Sequence, residues 1–275
     1  MSNSCPRPIH LVQIAFVLFW LMVPAVGSEA ASSSEKFICY DGCPKGASAA
    51  DTILDREIYV LSNNPNTKFA DWVAYRITAQ TLGPTRQRNW KADPDLEPED
   101  TLEPPDYTGA RAKLQVDHGH QAPLASVSGS PHWREANYLS NITPQKANLN
   151  EGAWERLEQA ERDIIRTRRA SVVYAITGPL YERQMKELPA ADKPHQVPSG
   201  YWKIIAVPRA GSFDVVGFIL DQNTLRRESF CAHRATPGEI EQRTKLSFFP
   251  ELDLDMKQRI AQGLKQGRLV NMLGC

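Results

Sequence analysis

The sequence predicts one α+β domain behind an N-terminal apolar segment. Two observations carry this. Strand-like segments flank one clearly amphipathic helix rather than alternating strictly with helices, and no repeat, low-complexity tract or composition break divides the chain after residue 28. Hydrophobic residues make up 41% and charged residues 23% of the 275, which excludes wholesale disorder and leaves enough apolar surface for a packed core.

The apolar run Leu11 to Val26 follows a short start carrying Arg7 and ends at the small residues Ala25-Val26-Gly27-Ser28. It is too short for a comfortable membrane span, so residues 1–28 read as a secretory signal peptide and 29–275 as the mature domain. A secreted or periplasmic protein with no membrane association after cleavage is expected. Ala30 to Lys36 reads as a flexible lead-in.

Glu57 to Leu61 and Phe69 to Thr78 have strand character. In the second, Phe69, Asp71, Val73, Tyr75 and Ile77 alternate with Ala70, Trp72, Ala74 and Arg76. Ala92 to Tyr107 is acidic and carries Pro94, Pro98, Pro104 and Pro105, a density that excludes a regular helix or central strand and predicts a surface loop. Leu114 and Val116 read as the end of a half-buried strand, followed by Asp117, His118, Gly119 and His120. Gly119 is expected to let the backbone turn there, and Pro123 to stop the strand from continuing.

Asn148 to Arg168 is the clearest helix, with Asn148 and Asn150 as candidate caps. Ala153, Leu157, Ala160, Ile164 and Ile165 form an apolar stripe. Asn150, Trp154, Glu158 and Arg162 recur every four residues and predict a second face, on which Glu158 and Arg162 are oriented as an ion pair. Taken alone, that second face fits an ordinary solvated surface. Further strands are predicted at Val172 to Thr177, Tyr201 to Val207 and Val215 to Leu220, and short helices at Pro237 to Lys245 and Leu254 to Gln266.

Cys5 leaves with the signal, so Cys39, Cys43, Cys231 and Cys275 remain. An even count in an exported chain predicts two disulfides, Cys39 with Cys43 and Cys231 with Cys275. A zinc site is the alternative, which two close and two scattered thiols fit poorly. The 32 basic and 32 acidic residues give zero net formal charge, so any site for a polyanion must be a local patch or use a metal.

Three ordered runs carry a family resemblance: VDHGHQAPLA from Val116, NYLSNITPQKANLNEGAWERLE from Asn137 to Glu158, and TGPLYER from Thr177 to Arg183. With RNWKADP at Arg88 to Pro94 and FDVVGFILDQNT ahead of Cys231, they resemble the DNA/RNA non-specific endonucleases of the ββα-metal, or His-Me finger, group. The likeness extends from about Cys39 to Cys275. It implies a central, mostly antiparallel sheet flanked by helices, and a homodimer acting on DNA and RNA.

The resemblance also implies roles. His120 matches the general base, Asn150 the single protein ligand of Mg²⁺ (Mn²⁺ being the alternative), and Glu158 a carboxylate holding metal-bound water. Arg88 matches an arginine near the scissile phosphate, Asn141 a supporting amide, and Arg162 a basic residue near the substrate. Asp117 keeps its place in the family's Asp-Arg-Gly-His motif, beside His118 on the substrate side.

The chemistry needs these types. A phosphodiester repels hydroxide, so its hydrolysis needs positive charge and a positioned base; imidazole is partly neutral near pH 7 and can serve without extreme tuning. Mg²⁺ keeps several waters, so one amide oxygen and one carboxylate acting through water can hold it, and it acts as a Lewis acid on the phosphoryl oxygens. Arg88 would clamp the phosphate, and the helix start at Asn150 would direct its dipole there.

His118 departs from the motif, which has arginine, and so loses a permanent charge and a guanidinium fork. Its charge is expected to fade above about pH 6.5 and to oppose the trend of His120, narrowing the pH profile. Two other readings stay open at this level: a catalytically impaired nucleic-acid-binding protein and a secreted metallohydrolase of another phosphodiester. Cleavage with and without chelator separates them.

Overall fold

The computed structural model describes residues 1–2, 38–210, 212–262 and 267–275. The expected signal peptide lies outside the described residues, as do the lead-in and the last four residues of the predicted helix Leu254 to Gln266. Among the described residues no helix is long and apolar enough to cross a membrane.

A seven-stranded antiparallel sheet forms the frame. Its strands are β1 (Thr52–Asp55), β2 (Tyr59–Asn64), β3 (Phe69–Thr78), β6 (Val172–Leu180), β7 (Gly200–Arg209), β8 (Ser212–Asp221) and β9 (Arg234–Ala235), in that spatial order. β4 (Val116–His120) and β5 (Ile142–Lys146) pair separately as a two-stranded antiparallel ribbon. The helices are α1 (Ala110–Leu114), α2 (Leu124–Val127), α3 (Glu155–Arg166), α4 (Pro237–Thr244), α5 (Leu254–Gln262) and α6 (Arg268–Met272), with shorter turns between.

Both faces of the large sheet are covered, which explains why its inner strands read as nearly continuous apolar runs. Tyr59, Leu61, Val73, Tyr75, Ile205 and Phe218 pack against Leu157 and Ile164 of α3. Val60, Trp72, Ala74, Trp202 and Ile204 pack on the other side against Ile240 of α4 and Ile260 of α5. The simple alternation expected of β3 fails at Asp71. There β2 and β3 change register, Ser62 facing Trp72 and Asn63 facing Ala70, so Ala70 joins the core of Val73 rather than that of Trp72.

Other expectations need correction. Leu114 ends α1, and the strand begins only at Val116, so the Asp117–His120 motif lies on β4 itself. Gly119 makes no turn; a Cβ there would stand 2.6 Å from the Cβ of Gln145, so glycine permits the close approach of β5. The proline-rich loop folds into the short 3-10 turns Pro98–Asp100 and Pro104–Tyr107, burying Leu102 and Tyr107.

The predicted helix Asn148 to Arg168 is not continuous. It begins as a turn at Ala147–Leu149, passes through a π-helical segment with non-helical Gly152 (φ −121°, ψ −113°), and becomes regular only in α3. A Cβ on Gly152 would stand 2.8 Å from the carbonyl oxygen of Arg226, so close packing of a distant loop selects glycine. Neither Asn148 nor Asn150 caps the helix. Trp154 belongs to the core, its ring 5.6 Å from that of Tyr201.

The β4–β5 ribbon followed by α3 is the ββα unit that the resemblance implied. It is tied to the large sheet through buried Gln222, whose Nε2 donates to the carbonyl of Pro144 at 2.8 Å and whose Oε1 accepts from the backbone of Lys146 at 2.7 Å. Tyr201 Oη donates to the same Pro144 carbonyl at 2.9 Å. Both expected disulfides are present, Cys39–Cys43 and Cys231–Cys275, with Cα separations of 4.9 and 5.4 Å.

Candidate active site

β4 delivers His118 and His120 on alternate residues to one side of the ribbon, and α3 delivers Glu158 and Arg162 opposite them. Two adjoining hollows lie there. One, of about 530 Å³, is lined by Trp90, Tyr107, Asp117, His118 and Asn150; the other, of about 490 Å³, by Arg86, Ser128, Arg162 and Arg166. Arg88, His120, Glu155 and Glu158 line both, so these four residues stand at the junction of one continuous groove.

His120 Nε2 faces Asn137 Oδ1 at 3.4 Å. An amide oxygen can only accept, so Nε2 carries the proton and Nδ1 keeps its lone pair. Burial, then neighbouring Arg88, lowers the His120 pKa to about 3, so the ring is neutral at physiological pH. The chain after it is held by Asn141. The Oδ1 of that residue accepts from the Ala122 backbone at 2.8 Å, and its Nδ2 donates to the carbonyls of Ala122 and Ala136 at 3.0 and 2.9 Å. Every strong hydrogen-bonding atom of that amide is thus engaged by backbone. Asn141 therefore brackets the His120 loop.

Asn150 Nδ2 donates to Asp117 Oδ2 at 3.1 Å. Because a carboxylate can only accept, the carbonyl oxygen of Asn150 is turned away from Asp117, and no hydrogen bond occupies it among the described residues. Arg111 donates to Asp117 Oδ1 and, at 3.0 Å, to Glu151, which also receives Arg226 at 2.5 Å. Among the described residues Glu158 has one ion pair, with Arg162 at 4.0 Å. Burial, opposed by Lys203 and Arg162, raises its carboxyl pKa to about 7. Among the described residues no group of three or more His, Cys, Asp or Glu forms a candidate metal site. One outward amide oxygen and one weakly partnered carboxylate in the same hollow instead fit a hard cation that keeps most of its waters.

His118 departs furthest from what its sequence position suggests. Its ring stacks on Trp90 at 4.5 Å with 5° between planes, and on Tyr107 at 4.1 Å with 21°. Burial, partly offset by Asp117 and reinforced by Arg88, lowers its pKa to about 4. The ring is therefore neutral across the working range, and the expected opposition between the two histidines disappears.

Asn137, Trp90, Tyr107 and Arg111 carry no role in the sequence alone. Asn137 and Trp90 fall within the runs that bear the family resemblance, so their position was legible but their function was not. Tyr107 and Arg111 gave no signal, because each meets its partner only through tertiary folding. Among the described residues no hydrogen bond or ion pair anchors the Arg88 side chain, but its segment is stitched to the ribbon by Lys91, whose N–H donates to Asn137 O at 3.2 Å and whose carbonyl accepts from Leu139 at 2.9 Å.

A family model described as DNA/RNA non-specific endonuclease matches residues 38–255. A nuclease of Serratia marcescens is 50% identical over 238 residues, covering 86% of this chain and 88% of its own. Nuclease C1 of Cunninghamella echinulata var. echinulata is 29% identical over 227 residues, covering 74% and 85%. A chain in the crystal structure of the EndoG/EndoGI complex superposes with a TM-score of 0.71 at 23% identity, covering 87% of this chain and 99% of that one.

Proposed function

The chain belongs to the DNA/RNA non-specific endonuclease family, and from that premise we propose that it is an exported, Mg²⁺-dependent enzyme. It cuts single- and double-stranded DNA and RNA to 5′-phosphorylated oligonucleotides. The observation that carries the reading is the meeting of His120, Arg88 and Glu158 at one groove junction, beside the outward carbonyl of Asn150.

His120 accepts a proton from the attacking water through Nδ1, its neutral ring held by Asn137. Arg88 lies across the junction to engage two phosphate oxygens with its planar fork. Asp117 fixes the amide of Asn150, and Asn150 with Glu158 would hold Mg²⁺ directly and through water. Bound there, the cation supplies Lewis-acid stabilisation of charge on the phosphoryl and departing oxygens. The P–O3′ bond breaks, the phosphate remains on the 5′ side of the downstream nucleotide, and the departing oxygen takes up a proton. Contacts confined to phosphate carry no base information, which accounts for action on both nucleic acids.

The impaired-binder reading rested on His118. That residue is packed between two aromatic rings while the junction residues remain together, so no observation favours it. Homodimerisation and export belong to the same proposal; light scattering of the mature protein and sequencing of its N-terminus read them. The functional test is digestion of plasmid, single-stranded DNA and RNA with Mg²⁺ or chelator, followed by end-group analysis. Cleavage of all three, lost with chelator and leaving 5′-phosphates, is expected. Cleavage unaffected by chelator, or confined to small diesters, contradicts it.

A further inference from the structure

The two hollows that meet at His120 differ in charge. The one holding Asn150 has Arg88 and Arg111 against Asp117, Glu151, Glu155 and Glu158, and Arg111 is already engaged by Asp117 and Glu151. The other has Arg86, Arg88, Arg162 and Arg166 against Glu155 and Glu158. A cation therefore belongs on the first side and a polyanion on the second.

The arginines of the second hollow are set for a ligand. Arg162 is 5% exposed, and its Nη2 donates to Gln159 at 3.1 Å. Among the described residues its Nε and Nη1 carry no hydrogen bond, Nη1 having only the Glu158 carboxylate at 4.0 Å, a costly state for a buried guanidinium unless a closer anion completes it. Arg86 is held by its Nε, which donates to the carbonyl of Ser128 at 3.0 Å, and by the Trp133 ring 5.0 Å from its guanidinium carbon. No carboxylate pairs with Arg86 among the described residues, so its two terminal nitrogens remain available. Arg166 stands one helical turn beyond Arg162, its only ionic neighbour among the described residues the half-exposed Asp163 at 3.5 Å.

We propose that this arginine hollow is a subsite for backbone phosphate next to the scissile one, with Arg86 and Arg166 at its outer edge and Arg162 as its buried base. The inference rests on the nuclease reading for the place of the scissile phosphate. It adds the direction in which the strand leaves the junction: away from the metal side, toward Trp133. The enzyme then recognises at least two successive phosphates, and polymeric substrate is favoured over an isolated diester through binding.

The test is anisotropy of a fluorescein-labelled single strand of about 15 nucleotides with the whole mature protein in EDTA, across a NaCl series. For the Arg86→Ala/Arg166→Ala pair we expect dissociation constants raised about tenfold or more at low salt. The slope of log K against log salt should fall by about 0.7 for each phosphate that the variant no longer neutralises. Arg86→Lys/Arg166→Lys should keep most of the slope, which separates lost charge from lost fold. Arg243→Ala/Arg259→Ala, on α4 and α5 across the sheet, removes the same charge and should leave the slope unchanged. Parent-like affinity and slope in the alanine pair, or an equal change in the distant pair, overturns the subsite. Cleavage with Mg²⁺ is read separately. A parent that binds through these arginines but cuts nothing removes the nuclease reading and keeps the subsite; one that cuts while the alanine pair binds unchanged does the reverse.

Discussion

At the residue scale, His118 and His120 share a strand and a depressed pKa but differ in surroundings. His118 is clasped by Trp90 and Tyr107, and His120 opens on the groove junction. Because the His118 ring is neutral above about pH 4, replacing it should not move the acid limb of activity. His118→Ala is expected to lower the melting temperature through the loss of ring stacking while the acid limb of kcat/KM superimposes on the parent's. A shift of that limb in the variant would mean that His118 charge takes part.

Glu158 shifts the other way. Burial raises its pKa to about 7, so in the absence of cation the carboxyl is protonated below pH 7 and ionised above it. A proton and a cation then compete for the same group, and metal affinity is lost as pH falls through 7. The half-saturating Mg²⁺ concentration should rise steadily between pH 8 and pH 6, and Glu158→Gln should flatten that dependence. Measuring activity against Mg²⁺ at each pH reads both. Asn150→Ala should raise half-saturation further, since it removes the direct ligand proposed for the cation.

At the scale of elements, the ββα unit depends on two glycines that admit close neighbours, Gly119 the side chain of Gln145 and Gly152 the backbone of Arg226. Gly152→Ala would drive a Cβ to 2.8 Å from the Arg226 carbonyl, and overpacking of this kind costs about 1–3 kcal/mol. We expect a lower melting temperature together with weaker Mg²⁺ dependence, because Gly152 sits two residues from Asn150. Thermal unfolding and Mg²⁺ titration of the same sample measure the two; a stable variant with unchanged half-saturation would show that the kink does not position Asn150.

These elements also show what a sequence can convey. The five inner strands of the large sheet were legible because local patterns of apolar residues define them, and β3 has the bounds its composition predicts; the short edge strands β1 and β9 gave no such signal. The break at Gly152 was not legible, because its cause is the backbone of Arg226, remote in sequence. His120, Asn150 and Glu158, singled out by the ordered runs, line one groove. Those runs could not show that Asn141 is saturated by backbone, or that a tyrosine from a proline-rich loop covers His118. Such facts arise only when segments far apart in the chain are packed together.

At the scale of the molecule, zero net charge conceals a groove polarised from a carboxylate side to an arginine side. Stability is drawn partly from elsewhere. The Cys231–Cys275 bridge closes a long loop and ties the C-terminus beside α6, away from the groove. In the loop-entropy description such a closure is worth about 4 kcal/mol. Cys231→Ser/Cys275→Ser should therefore unfold at lower denaturant while keeping the parent Mg²⁺ half-saturation at low temperature. Equal unfolding midpoints would show the bridge to be energetically idle.

The most direct measurement is the single-turnover cleavage rate of His120→Ala against the parent, on plasmid at saturating Mg²⁺, with binding of the same DNA measured in EDTA. A positioned general base contributes about 10²–10⁴-fold, so the variant should cut slower by that factor and bind DNA as tightly as the parent. A variant that cuts at close to the parent rate would remove His120 from the chemistry, and the proposed mechanism with it.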